Sequence, residues 1–235
     1  MAKDKSDNYS EALILGNTSP ARIVYPPRLS AEQCKAQKIN GRTTDANKNV
    51  AEITIAFPKN HPDFAKHREA VINLARKKFG ANVKLALTDA SDVLMPFKDG
   101  DAKGLEALVG HFFMKTRTQR EPEYFDTRKR NSAGRMIRIT DQAEIDKLFY
   151  SGCYVLAKVA YGYNDGTKMT YNKPTISAYL NAIVFVRDGE RLGRDSASDF
   201  DGALQDNTSG EVSEYDPLAG DSAIGADQED NEPAF

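Results

Sequence analysis

The segment Gly110-His111-Phe112-Phe113-Met114-Lys115-Thr116-Arg117-Thr118 carries the most suggestive chemistry in the chain. Read as a strand, its side chains alternate between two faces. Phe112, Met114 and Thr116 fall on one, and His111, Phe113, Lys115 and Arg117 on the other. The first face reads as core. The second is cationic with a ring in it, which suits single-stranded nucleic acid: rings stack on bases while Lys and Arg meet phosphates. The alternative is a solvated strand face with one stray Phe.

The next stretch strengthens the nucleic-acid reading. Arg117, Arg120, Arg128, Lys129, Arg130, Arg135 and Arg138 follow closely, with Tyr124 and Phe125 among them. The stretch Glu121-Pro122-Glu123-Tyr124-Phe125-Asp126 reads as a loop too polar for a core, so the whole reads as a basic, aromatic clamp between two strands. A charged, solvated loop is the alternative. Further on, Tyr161 and Tyr163 flank Gly162 at a strand end. Lys168, Tyr171 and Lys173 lie across the hairpin signalled by Asn164-Asp165-Gly166-Thr167. Alternation puts Tyr161 and Tyr163 on one face, with Gly162 leaving room for close approach. Such rings either hold bases or pack on the sheet as cross-strand pairs.

Catalytic signals are weak. His61, His67 and His111 do not combine with Cys34 or Cys153 at metal-ligand spacing, and the two histidines near the helix start read as capping or helix-surface groups. Asp99-Gly100-Asp101 is turn chemistry without the further ligands of a calcium loop. No phosphate-binding glycine loop or nucleophile elbow is present. The chain therefore reads as a binding protein, not an enzyme, with no cofactor and no metal. Cys34 and Cys153 read as plain thiols in a reducing cytoplasm.

The elements that must position these residues are mostly strands. Arg22–Tyr25 is a first strand stopped by Pro26-Pro27, and residues 30–48 form a polar connection. Val50–Phe57 alternates, with Ile53, Ile55 and Phe57 on one side. A helix runs from Pro62 to Phe79, ended by Gly80. Val83–Leu87 is a short strand, followed by a Met95–Asp101 loop. Gly110–Thr118, Arg135–Thr140, Gly152–Tyr163 and Thr175–Arg187 complete the set. This inventory predicts a mainly β (α+β) body: an elaborated OB-fold-like barrel of five or six strands with one long helix. A β-sandwich competes.

Charge divides the chain in two. Residues 195–235 hold twelve of the 34 acidic residues and none of the 32 basic ones. Residues 1–194 therefore form a body of net charge about +10, followed by a tail of −12 that reads as disordered. A basic body implies a polyanion partner; an acidic tail implies a protein partner or the body itself. Residues 1–7 are charged with no apolar run after them, so no secretory leader or membrane span is expected.

In this order the motifs resemble those of the single-stranded DNA-binding proteins of tailed bacteriophages. The resemblance rests on Ile53-Thr54-Ile55-Ala56-Phe57-Pro58-Lys59-Asn60, Met95-Pro96-Phe97-Lys98-Asp99-Gly100-Asp101, Tyr161-Gly162-Tyr163-Asn164, Ala182-Ile183-Val184-Phe185-Val186 and the terminal Phe235. It implies an OB-fold body and DNA contact by Tyr161 and Tyr163. It also implies an acidic tail that recruits replication proteins such as polymerase, helicase or primase through Asp227, Glu229, Asp230, Glu232 and Phe235. The Pro233-Ala234-Phe235 ending is nearer the bacterial counterparts than the phage tails that set acids directly against the aromatic. The expected function is sequence-independent single-stranded DNA binding in phage replication, recombination or repair, in the host cytoplasm. Phosphate contacts fall to Lys115, Arg117, Arg128, Lys129, Arg130, Arg135, Arg138 and Lys173. Stacking falls to Phe113, Tyr124, Tyr161, Tyr163 and Tyr171, with the tail competing for the same groove. A homodimer is compatible with the sequence. The other function considered is a replication scaffold or DNA mimic acting through its tail, against which the basic body argues.

Overall fold

A computed structural model describes residues 8–35, 38–39, 42–43, 49–87, 91–164 and 173–192. In chain order the elements are β1 (Leu13–Leu15), β2 (Ala21–Ile23), α1 (Ala31–Lys35), β3 (Lys38–Ile39), β4 (Arg42–Thr43), β5 (Ala51–Pro58), α2 (Phe64–Phe79), β6 (Phe97–Asp99), β7 (His111–Thr118), β8 (Glu123–Arg130), β9 (Met136–Ile139), α3 (Gln142–Leu148), β10 (Tyr154–Asn164) and β11 (Thr175–Arg187). All of them belong to one unit, Met1–Gly193.

Five strands close on themselves. β2 pairs β5, β5 pairs β7, β11 pairs β10 and β10 pairs β2, all antiparallel, while β7 and β11 run parallel. One parallel contact between the third and fifth barrel strands is the OB-fold arrangement. β6 adds to β7, β1 adds to β10, and β8 joins β11 beyond the reach of β7, carrying β9 on its far side. Inside lie Ile53, Ile55, Phe57, Met114, Val155, Val159, Ile176, Leu180, Ile183 and Phe185. Each such side chain taken from water contributes about 1.5–3 kcal/mol.

Helix α2 packs against the barrel with Val71, Leu74, Ala75 and His67 inward, and Gly80 ends it with its N–H on the Arg76 carbonyl at 2.8 Å. Its N-terminus spends a carboxylate elsewhere. Asp63 makes no cap bond but accepts from the N–H groups of Gly16 and Thr18 and from Thr18 Oγ1, tying down the turn after β1. His61 Nδ1 accepts the Asp63 N–H, which leaves Nε2–H to donate to the Ser19 carbonyl at 2.7 Å. His61 and His67 are thus buried linkers and not helix-surface groups.

Three expectations are corrected. Val83–Leu87 alternates but forms no strand pairing among the described residues; Val83 and Leu85 rest on the core while Lys84 N–H bonds the Asp92 carboxylate. Residues 123–130 are strand β8, not loop. The long helix is not alone: short α1 lies in the stretch read as a polar connection, and short α3 follows β9, its N-terminus capped by Asp141, which accepts the Ala143 N–H. Among the described residues no helix is long and apolar enough to cross a membrane. Cys34 and Cys153 are buried thiols, and burial pushes Cys153 up to about 12.

Candidate nucleic-acid interface

The barrel's outer face over β5 and β7 is built from four cross-strand rows: Glu52 with Arg117, Thr54 with Lys115, Ala56 with Phe113, and Pro58 with His111. The opposite row of β7 points inward; Met114 is buried and Thr116 Oγ1 donates to the Ile53 carbonyl at 3.0 Å. In OB-folds this second-and-third-strand face, with the first and last interstrand loops, is where oligonucleotides lie.

The two ends of that face differ. At the Pro58 end Phe113 is only 6 % exposed, covered by Val24, Ala56, Leu108 and Leu192. Leu108 is brought there by the loop between β6 and β7, which is latched by Lys59. Its ammonium bridges Asp99 (2.7 Å) and Asp101 (2.6 Å), while Asp101 also accepts the Gly110 N–H. The bonds to Asp101 and then Asp99 raise the Lys59 pKa, and Lys59 in turn lowers that of Asp101. Gly100 has to be glycine: a Cβ there would sit 2.2 Å from the Leu108 carbonyl oxygen. So the Pro58-Lys59 and Asp99-Gly100-Asp101 motifs meet in one device, with an ammonium between the two carboxylates.

At the other end the face is open and charged. Glu52 is buried and receives Lys115 Nζ (2.7 Å), Arg28 Nη1 (3.0 Å) and Asn49 Nδ2 (2.8 Å). Burial alone would raise its pKa, but Lys115, Asn49 and Arg28 together hold the carboxyl below its usual range. One carboxylate thus faces three cations, Arg28, Lys115 and Arg117. Arg117 is also in register with Tyr179 across the parallel β7–β11 pair. The Tyr179 ring meets Tyr9 edge-on at 5.6 Å, and its hydroxyl accepts from Asn164 Nδ2 at 3.3 Å. Tyr9 is 53 % exposed. On the other flank, Val24 N–H bonds the Thr54 carbonyl and Arg28 pairs with Glu52 in both directions, so residues 25–27 bulge away from β5. Tyr25 sits on that bulge, 38 % exposed.

The predicted contact residues divide accordingly. Lys115 and Arg117 lie on the open face, and Phe113 lies on the same face under its apolar cover. Tyr124 is corrected: at 2 % exposure its ring packs on Phe149 in the core, because β8 alternates and turns it inward. Tyr161 is corrected too: it is 0 % exposed, with its hydroxyl 2.7 Å from His67 Nδ1, which makes it a packing residue in this structure. Tyr163 shares its face but lies at the rim, half-buried, with Phe79 edge-on at 5.3 Å and Lys78 over its ring. Gly162 does give close approach, but to this chain's own rings: a Cβ would lie 2.6 Å from both Tyr9 and Tyr179.

The remaining cations ride on β8 and β9. Arg128 makes a forked bond to Asp126 and covers the Phe185 ring at 4.8 Å, and Lys129 pairs with Glu144. Arg130 donates to the Gly134 carbonyl at the hairpin tip, Arg138 lies 3.7 Å from Glu121, and Arg135 is exposed beside the tip. Lys173 is half-buried at the start of β11's approach; Tyr171 and the tail residues Asp227, Glu229, Asp230, Glu232 and Phe235 lie outside the described residues. Among the described residues no three His, Cys, Asp or Glu side chains gather as metal ligands.

Sequence reasoning missed Tyr9, Tyr25, Arg28, Glu52 and Tyr179. Tyr179 had a readable signal: Ile176, Ala178 and Leu180 point inward, which leaves Ser177, Tyr179 and Asn181 outside.

Comparisons with known proteins agree with this architecture. No curated protein matches the sequence. Among solved structures the chain is similar to the C-terminally truncated single-stranded DNA-binding protein from bacteriophage Enc34, at 20% identity over 82% of this chain and 95% of that one, with a TM-score of 0.55. It is similar to that phage's protein in complex with ssDNA at 17% identity, over 82% of this chain and 97% of that one, with a TM-score of 0.54. At these identities the likeness speaks to the fold. The sequence family described as "Enterobacter phage Enc34, ssDNA-binding protein" matches residues 27–212, and over that span the chain belongs to it.

Proposed function

We propose that this protein binds single-stranded DNA without strong sequence preference, across the outer face of β5 and β7. The observation that carries it is the placement of Arg28, Lys115 and Arg117 between exposed rings at Tyr25 on one flank and Tyr9 on the other, with Tyr179 half-buried against Tyr9. Family membership supports the same ligand. Arg130, Arg135 and Arg138 of β8, β9 and the residues between them, with Lys173, add phosphate contacts, and Tyr163 and Tyr171 supply further rings. Arg128 and Lys129 exchange their carboxylate partners for phosphates as they engage. Phe113 joins once Leu108 or Leu192 moves aside.

In this reading residues 195–235 form a separate acidic tail. Tethered at a high effective concentration, it competes with DNA for the body. Its Asp227, Glu229, Asp230, Glu232 and Phe235 recruit polymerase, helicase or primase during phage replication, recombination or repair in the host cytoplasm. No chemical step is assigned.

Fluorescence anisotropy with oligo-dT and with duplex, at several salt concentrations, tests the binding. With about five phosphates neutralised, log K falls against log salt with a slope near −3.5. Salt-insensitive binding or equal affinity for duplex refutes the proposal. A chain ending at Arg194 should bind oligo-dT more tightly; unchanged affinity removes the competition by the tail.

A further inference from the structure

Among the described residues Tyr25 is the one non-glycine residue with a positive φ, 108°. An L-residue is strained there and glycine is not. The position nevertheless holds a large ring, 38 % exposed. Both sides of the residue are pinned. Val24 bonds Thr54 and packs on Ala56 and Phe113. The Tyr25 N–H donates to Ser151 Oγ at 3.2 Å, Pro26 and Pro27 restrict the following backbone, and Arg28 is paired to Glu52. Thr54 is the cross-strand partner of Lys115, so the bulge lies alongside the open cationic face.

Strain of this kind persists where the surroundings over-determine it, and it gathers at ligand-holding positions. We propose that Tyr25 is a base-stacking platform whose ring is set in place before DNA arrives by a backbone conformation that costs stability. The inference rests on the single-stranded DNA reading above and adds a residue and a mode of pre-organisation to it. The competing account is that the strain only serves the turn out of β2 and the ring is idle.

Three variants separate these accounts: Tyr25→Gly, Tyr25→Asn and Tyr25→Phe, each measured by thermal denaturation and by oligo-dT anisotropy. Gly and Asn accept positive φ, so both variants should melt at or above the unsubstituted protein. Both should bind oligo-dT about tenfold more weakly, in keeping with the loss of one stacked base. Tyr25→Phe keeps ring and strain and should match the unsubstituted protein in both measurements. Wild-type affinity in Tyr25→Gly overturns the platform, as does a loss in Tyr25→Phe as large as that in Tyr25→Gly. A lower melting temperature in both Tyr25→Gly and Tyr25→Asn overturns the stored strain. Failure of the unsubstituted protein to bind oligo-dT strikes the underlying function instead, so the two failures are distinguishable.

Discussion

Tyr161 and Tyr179 sit on neighbouring strands of the same hairpin and serve opposite ends. Tyr161 is in register with Ala178 and turns into the barrel, where it meets His67 and Phe97. Tyr179, one residue on, turns outward to Tyr9 and Asn164. The side chains are identical, and the separation is a single step of the pleat. What decides between core and interface is register, and a one-residue offset exchanges the two. Gly162 is the hinge of the contrast, since its missing side chain lets the two outward rings of Tyr9 and Tyr179 close in over the strand whose Tyr161 is buried beneath.

The contrast can be broken in several ways. The largest effect should come from Tyr161→Ala. Removing a fully buried ring costs about 3–5 kcal/mol of stability, seen in chemical denaturation, while the molecules that remain folded bind oligo-dT as before; a binding defect in the folded fraction would move Tyr161 to the interface. Tyr179→Ala should do the reverse, weakening oligo-dT binding by about 1–3 kcal/mol with melting nearly unchanged. Gly162→Ala sharpens the comparison, because the new methyl must displace both outer rings. It should cost about 1–3 kcal/mol in stability and reduce binding as well, and a neutral outcome in both assays would mean that the rings yield freely. The smallest effect concerns pH. Burial lowers the pKa of His67, so the folded protein resists a proton that the unfolded chain accepts near pH 6.5. Its contribution is fully present above that pH and is lost as pH falls below it, at no more than about 1.4 kcal/mol per unit. His67→Gln should flatten this limb of the stability curve; an unchanged slope would assign it to carboxylates such as Asp63.

Much of the barrel was legible. The alternation of Gly110–Thr118 and Val50–Phe57 identified the faces of β7 and β5, and Gly80 identified the end of α2. β8 was hidden because its inward positions include Asp126, buried in a fork with Arg128, so no apolar period marks Glu123–Arg130. Tyr124 went with it. Val83–Leu87 failed in the other direction: alternation shows which side is apolar but not whether a ladder partner exists. Tyr25 was unreadable in kind, since Pro26-Pro27 announces the end of a strand and says nothing of the φ before it. Tyr9 lies in a polar segment whose role depends on β10 supplying a bridge at Gly162.

The closure of the barrel sets its timetable. Arg22 on β2 must meet Tyr154 on β10, with its guanidinium on the Gly152 carbonyl 130 positions further along the chain, and the Thr116–Arg117 stretch of β7, beyond the part that β6 covers, is paired on that side by β11. During synthesis, then, β2, β5 and β7 emerge as an open ribbon, with β6 covering only part of the β7 edge. Such long-range pairings are slow to form, and unpaired edges invite association with other chains. The ring can close only once β10 and β11 are available, so completion of the barrel waits on the last two of its strands.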